Sequence, residues 1–348
     1  DQYTKFSELS EGVPPMTTLN DIAKEVGVAK STVSRALRDD PTLSLTESTR
    51  KKIFETADRL GYKINKNKSL AFPKTIAIIH KDSHFLNQLD NGYYFSLRYS
   101  IEKTCLSEHV ECRFYPESFL EQIAVAQLNG AILMGSFAKD RLEKIYAHLQ
   151  KKVPCVFIGK FNCLQDEIDW ITHDTKRCVD LAIAYFCEKK LYRILYVGGR
   201  DVAGTPADYN KLFHFKRCLD EHPELTCVDV IEGEHGTESG YRMTMNWFKN
   251  HDSSSVDAIF VSNDPIAFGS LRALNEMGIS VPGNISVLGV NGDGPGAETT
   301  PPLSTVDIHT MRMGEEAVHC LIDRMNRRHD IPKKVMFSPT LVLRNSTR

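Results

Sequence analysis

Apolar positions in the first sixty residues recur at helical spacing. Leu19, Ile22, Ala23 and Val26 fall on one side of a short helix that Gly27 ends, and Thr18 stands where it caps that helix with Asp21 three residues on. Lys30 to Leu37 reads as a second short helix. Its apolar side is Val33, Ala36 and Leu37, which leaves Lys30, Ser31, Ser34 and Arg35 elsewhere around the cylinder. Between the two, small Ala23 permits a close helix crossing, and Gly27 supplies a turn that other residues enter with strain. After "RDDPTLS", Thr46 opens a third helix with Ile53, Phe54, Ala57 and Leu60 as its buried stripe and Gly61 as its end. Three short helices around one small core make a helix-turn-helix domain over residues 16–63. A three-helix packing module without a ligand has the same spacing.

The pattern then changes. Residues 64–74, "INKNKSLAFPK", are short, polar and end near Pro73, as a linker does. Beyond it, "TIAIIH", "VECRFYP", "GAILMG", "VPCVFIG", "YRILYVGG", "TCVDVIEG", "DAIFVSND" and "ISVLGVNG" read as strands. Amphipathic stretches near 94–107, 140–151, 175–189, 208–221, 239–250 and 265–277 separate them. Such alternation predicts an α/β fold of parallel sheets covered by helices on both faces. So many strands suit two lobes better than one.

Composition adds constraints. With 41% apolar and 25% charged residues the chain is globular rather than disordered. No run of about 18 apolar residues occurs, and the start has no apolar stretch of signal-peptide length, so the expectation is a cytoplasmic protein. Residues 1–15, which precede Met16, are set aside as an extension or expression remnant. The nine cysteines show neither a CxxC pair nor the spacing of a zinc or disulfide framework and read as reduced core residues. The formal charge of −2 conceals an asymmetry: residues 16–71 hold eleven Lys/Arg against seven Asp/Glu, hence +4. A basic head on a mildly acidic body fits a polyanion-binding module.

Ligands of such sheets bind outside the carboxyl ends of the strands. The loops there nominate Asp90, Tyr93, Tyr94, Gly159, Phe161, Asp208, Asn210, Lys211, His235, Asn263, Asp264 and Asn291. Amides and single carboxylates beside aromatic faces suit a polyhydroxy ligand. No G-x-S-x-G elbow, HExxH or Walker A string is present, and "GGRDVAG" and "NGDGPG" lack the spacing or the lysine of a phosphate cradle. The expectation is a non-enzyme without cofactor or metal.

"LNDIAKEVGVAKSTVSRAL" closely resembles the N-terminal signature of the lactose/galactose repressor family. "VSNDPIAFGSLRALNEMGISVPGNISVLGVNG" and "PPLSTVDIHTMRMGEEAV" look like that family's effector-binding core, which is similar to periplasmic sugar-binding proteins. "DDPTL" and "NGYYFSLRYSIE" are similar to the branch containing the repressor of the evolved β-galactosidase operon. The resemblance implies that the second helix enters the major groove, with Lys30, Ser31 and Arg35 as base readers, Arg35 foremost through bidentate pairing with guanine. Thr18, Thr32, Ser34 and Thr46 then serve as phosphate or core-edge groups, and the basic run Arg50, Lys51, Lys52, Arg59, Lys63, Lys66 and Lys68 offers phosphate contacts. The family's usual serine at the start of the second helix is Ala29 here. The family uses the segment 64–74 as a hinge that wedges a leucine into the minor groove, a role open here to Leu70.

In the core, residues 75–348, the resemblance implies chain crossovers near 172, 306 and 333, dividing it into lobe 1 (75–171 and 306–333) and lobe 2 (172–305 and 334–348). Of the strand-end residues, Asp90, Tyr93, Tyr94, Phe161, Asn210, His235, Asn263 and Asn291 are the expected effector contacts, and the resemblance maps the family's sugar contacts onto Asn263 and Asn291. Gly159, Asn210 and Asn291 stand where the family often has Asp, Arg and Asp, and His235 where it often has an aromatic. The implied partners are double-stranded operator DNA, a small-molecule effector, foremost a galactoside-type sugar inducer, and a second copy of the chain in a homodimer or a tetramer. A corepressor-controlled regulator, as in the purine branch, and a solute-binding protein are the competing readings.

Overall fold

The computed structural model describes residues 17–37, 43–60, 62, 74–85, 92–149, 153–161, 163–201 and 203–348, without the side chains of residues 47, 58, 84 and 85. The chain separates into a unit of residues 1–71 and a unit of residues 72–348.

In the first unit, α1 (Leu19–Val26), α2 (Lys30–Leu37) and α3 (Glu47–Arg59) pack around Ile22, Ala23, Val33, Ala36, Ile53 and Ala57. The start of α1 is held by Asp21, whose carboxylate accepts from the Thr18 amide at 2.8 Å and its hydroxyl at 2.7 Å. These bonds hold the Asp21 pKa below the usual carboxylate value. Gly27 ends α1 at φ 77°, in the left-handed region that glycine enters without a Cβ clash. The Thr46 hydroxyl accepts from the Thr49 amide at 3.3 Å, ahead of α3. An ion pair between Glu25 and Arg59 ties α1 to α3. The stripe expected on α3 needs one correction: Phe54 is exposed, while Thr56 is buried beside Ile53 and Ala57. Position 56 lies three residues from Ile53 and so on the same helix face, whereas 54 is turned about 100° away.

The second unit holds two sheets. The first lobe contributes β1 (Lys74–His80), α4 (Gly92–Ser107), β2 (Val110–Pro116), β3 (Gly130–Met134), α5 (Lys139–His148), β4 (Cys155–Ile158) and β5 (Asp169–His173). The chain then crosses to α6 (Thr175–Glu188), β6 (Arg193–Gly199), α7 (Lys211–Glu221), β7 (Thr226–Gly233), α8 (Thr237–Phe248), β8 (Ala258–Val261), α9 (Asp264–Glu276), β9 (Ser286–Asn291) and β10 (Ser304–Asp307). It returns for α10 (Thr310–Met325) and β11 (Lys334–Phe337), and crosses a last time into β12 (Thr340–Val342). The strand orders are β2-β1-β3-β4-β5-β11 and β7-β6-β8-β9-β10-β12, parallel throughout except for β12, which runs antiparallel to β10. Central strands such as "GAILM" and "AIFV" are buried along their whole length, as continuous apolar runs covered on both faces must be.

The eight strand-like runs of the sequence correspond to β1–β4 and β6–β9, whereas β5, β10, β11, β12 and α10 were not among the expected elements. The lobe boundaries shift accordingly. The third crossover lies near Ser338 rather than 333, because β11 pairs in register with β5 (Lys334 with Trp170, Phe337 with His173) and belongs to the first sheet. The first two crossovers follow His173 and Asp307, one or two residues later than expected. All nine cysteines are free.

Asp169, at the start of β5, fastens the returning segments. Its carboxylate is fully buried and accepts from Arg324 Nη1 at 3.1 Å, His329 Nε2 at 2.7 Å, and the Lys333 amide at 2.8 Å. Cys320 Sγ lies 3.3 Å from the same group. Although Asp169, Cys320 and His329 stand within ligating distance of one another, the Arg324 guanidinium already supplies the cation. A second group, Cys187, His222 and Glu224, lies on lobe 2 with its members bonded to one another.

Candidate functional site

The three-helix unit presents α2 as a candidate nucleic-acid interface. Val33 and Ala36 face the core, so Lys30, Ser31 and Arg35 are exposed on the opposite side, and Thr32 and Ser34 are half-buried at its edges. Ala29 offers only its carbonyl, which accepts from the Thr32 and Val33 amides. Thr18 and Thr46 both serve helix starts, α1 and α3, as their hydrogen bonds show. Of the basic run, Arg59 is engaged with Glu25 and Lys51 stands 3.8 Å from Glu55. Lys63, Lys66, Lys68 and the wedge candidate Leu70 lie outside the described residues.

The second candidate site is a cleft of about 310 Å³ at the carboxyl ends of both sheets. From lobe 1 it receives Tyr93 and Tyr94 at the start of α4, Gly159, Lys160 and Phe161 after β4, and His173 at the end of β5. Lobe 2 contributes Asp201, Asn210, Lys211, His235, Asn263 and Asn291. Seven of the eight expected effector residues therefore converge here, and the eighth, Asp90, is outside the described residues. Asp208 and Asp264 do not line it. The Asp208 carbonyl accepts from His214, and Asp264 is buried beneath, accepting from the Thr305 hydroxyl at 2.7 Å and the Asp293 amide at 2.8 Å.

Each amide in the cleft is oriented by the fold. Asn210 caps α7 through its Oδ1, which accepts from the Phe213 amide at 2.8 Å, and its Nδ2 donates to Asp201 at 2.8 Å. Asn263 caps α9 in the same way, accepting from the Ile266 amide, and donates from Nδ2 to His235 Nδ1 at 2.9 Å. Because that nitrogen accepts, the proton of His235 is on Nε2, which donates to the Arg200 carbonyl at 3.0 Å. Burial keeps this imidazole below its ordinary pKa and so neutral. Gly199 makes room for the ring, since a Cβ there would stand 2.2 Å from His235 Nδ1. Asn291 adopts φ 143°, a strained backbone for a side-chain-bearing residue, and donates to Asp293 at 3.3 Å. At Gly159 a Cβ would fall 2.4 Å from the Gly135 carbonyl oxygen, so the aspartate common in the family has no room.

Tyr93 and Tyr94 meet edge to face at 4.9 Å, and burial pushes the Tyr94 phenol up to about 12. Phe161 packs against Tyr209 at 5.4 Å and Trp170 at 6.5 Å, and Trp170 Nε1 donates to the Gly159 carbonyl. These are the flat apolar faces that stack on a sugar ring, set beside amides that bond its hydroxyls.

The sequence reading passed over Lys81, Lys160, His173, Asp201 and Glu232, all of which line the cleft. Lys160 lies between the nominated Gly159 and Phe161, and its Nζ is 2.5 Å from Asp201. Burial, reinforced by nearby Lys211 and opposed by Asp201, lowers the Lys160 amine to about 8. His173 ends a strand whose sequence, "DWITH", carries little strand signal. Its ring is buried with neither nitrogen hydrogen-bonded, and desolvation first, then Lys211 and Lys160, drive its pKa well down.

The class of architecture is a helix-turn-helix unit joined to a two-lobed, cleft-bearing α/β body. The bacterial regulatory protein lacI family pattern matches residues 18–65, and the periplasmic binding protein-like domain matches residues 183–347. The HTH-type transcriptional regulator GalR of Lacticaseibacillus casei is 31% identical over 345 residues, 95% of this chain and all of the relative. GalR of Streptococcus thermophilus is 30% identical, covering 96% and 100%, and the repressor MelR of Bacillus subtilis is 28% identical, covering 95% and 97%. Among solved structures, a transcriptional regulator CelR–cellobiose complex superimposes with TM-score 0.67 at 20% identity, covering 95% of this chain and 99% of the other. The Lac repressor dimer bound to operator and the anti-inducer ONPF gives 0.66 at 18% identity, with the same coverage. The chain belongs to the lacI family of bacterial transcriptional regulators, and it is not an enzyme.

Proposed function

We propose that this chain is a cytoplasmic, homodimeric repressor that binds a pseudo-palindromic operator and releases it when a galactoside-type sugar occupies the cleft between its lobes. The observation that carries the reading is the convergence of Asn210, Asn263 and Asn291 with Tyr93, Tyr94 and Phe161 in one cavity between two sheets. Amide donors and acceptors beside aromatic faces fit a polyhydroxy ring. Relatives named GalR and a neighbour solved with cellobiose support a sugar. Lys30, Ser31 and Arg35 on α2 are the proposed base readers, with Thr18, Thr32, Ser34 and Thr46 near phosphates and Leu70 as the minor-groove wedge. One recognition helix per subunit on two half-sites requires a dimer. The crossovers after His173, after Asp307 and near Ser338 are the hinges of the proposed closure. Sugar binding acts on DNA only through its different affinities for the open and closed bodies.

The test selects operators from random duplex DNA with the full chain, then titrates the complex with galactosides, glucosides, their phosphates, sugar acids and purines while DNA binding is followed. Release by a sugar is the expected result. Tighter DNA binding with a purine, and no response to any sugar, would make the cleft a corepressor site.

A further inference from the structure

The cleft is not neutral. Four cationic side chains line it, Lys81, Lys160, Arg200 and Lys211, against the two carboxylates Asp201 and Glu232. Asp201 is already shared between Lys160 and the Asn210 amide. Lys211 has neither a hydrogen bond nor an ion pair among the described residues, and it is the first residue of α7, the helix end where a positive charge is unfavourable. Two lysines thus face one cavity with one carboxylate between them, at a helix start that itself favours an anion.

A second, independent feature points to the same place. His173 lines the cavity and is 95% buried, yet neither ring nitrogen finds a partner in the fold. An unsatisfied buried imidazole costs stability, and this one lines the same cavity as Lys160 and Lys211 and feels the charge of both, so a ligand oxygen there would complete it.

We infer that the sugar held in this cleft bears an anionic substituent, a phosphate monoester or a carboxylate, seated among Lys160, Lys211 and His173. The inference rests on the reading of the cleft as a sugar site and adds the charge of its ligand. The amides and aromatics hold the ring and its hydroxyls; the lysines and the imidazole hold the substituent through charge-assisted hydrogen bonds.

The full-chain protein is titrated by calorimetry and thermal shift with methyl β-galactoside, its 6-phosphate, galacturonate and inorganic phosphate. A charged sugar is expected to bind about 10- to 100-fold more tightly than the neutral parent, the worth of one hydrogen bond to a charged group. The phosphate and carboxylate arms assign the substituent. Lys211→Met should cut the preference for the charged sugar several-fold, with Lys160 and His173 retaining the remainder, while Lys211→Arg keeps the preference and shows that the loss is one of charge rather than folding. Equal or tighter binding of the neutral sugar, or a preference untouched by Lys211→Met, overturns the anionic substituent and leaves the sugar reading intact. Stabilisation by inorganic phosphate with no sugar active, or no response to any of the four, overturns the sugar reading itself.

Discussion

The two units place their recognition groups in opposite ways. On α2 the candidate readers Lys30, Ser31 and Arg35 are exposed, while a separate set, Ile22, Ala23, Val33, Ala36, Ile53 and Ala57, makes the core. In the body the candidate contacts are also structural parts: Asn210 and Asn263 cap helices, and His235 occupies space that Gly199 vacates. Reading and folding are therefore separable in the head and entangled in the cleft. A substitution on α2 should change which DNA is bound without changing stability. One in the cleft should change both.

The largest expected effect tests how far the entanglement extends below the site. Asp169 lies outside the cleft, but its carboxylate joins β5, α10 and the entry to β11, the segments that carry His173 and two of the three crossovers. Asp169→Ala leaves the Arg324 guanidinium, itself mostly buried, without its carboxylate. The expected loss is about 3–5 kcal/mol in urea unfolding of the body. A loss below about 1 kcal/mol would show that the network tolerates removal of its centre and that the first lobe is held by packing alone.

Arg35→Ala is the counterpart in the head. The expected cost is about 1–3 kcal/mol at the selected operator, with nonspecific binding and the melting temperature of the protein close to wild type. An equal loss on every DNA sequence would make Arg35 a phosphate contact, and a lowered melting temperature would show that reading and folding are not separable even on α2.

What the sequence disclosed follows the same division. The head was legible because its signals are local: a capping pair three residues apart, a glycine at a left-handed turn and a stripe at i, i+3 and i+4. Its error, Phe54, came from placing neighbouring positions 53 and 54 on one face. In the body, apolar runs identified eight strands, the edge strands β2 and β7 among them, while short or polar ones such as "DWITH", "STVD" and "KVMF" did not stand out, because tertiary pairing rather than composition makes them strands. The amides and aromatics of the cleft were found by the rule that loops at strand carboxyl ends bind ligands. Lys160 and His173 were not, since what marks them, a lysine beside a second lysine and an imidazole without partners, exists only once 160, 173 and 211 are brought together.

A pH test probes the cleft floor. Burial first, and the neighbouring Asp264 carboxylate second, push the Asp293 pKa up to about 8, with Asp307 adding to the same direction and the Asn291 amide opposing it. Asp264 is also raised by burial. A carboxyl raised from its ordinary value near 4 stabilises the folded state when protonated, so this contribution is present at pH 4 and is lost as pH rises to about 8. His173 and His235, both lowered, act in the opposite sense below pH 6.5. Comparing wild type with Asp293→Asn separates the terms: the variant should lose less stability between pH 5 and pH 8. Identical pH profiles would mean that Asp293 is ionised throughout.

The smallest effect returns to the head. Gly27 has φ 77° and no atom within 4 Å of the place a Cβ would occupy, so its requirement is conformational alone. Gly269 in the body is the contrary case: its backbone is ordinary helix, but a Cβ would stand 1.9 Å from the Thr237 carbonyl oxygen of the neighbouring α8. Gly27→Ala should therefore cost only the left-handed penalty, about 1 kcal/mol of head stability, measured by urea unfolding followed through helix circular dichroism. Because α1 and α2 meet at this turn, the same variant should bind operator more weakly by a similar factor if strain tilts α2, and without change if the turn absorbs it. A stability loss of several kcal/mol would mean that the turn is packed, and that the head is as entangled as the cleft.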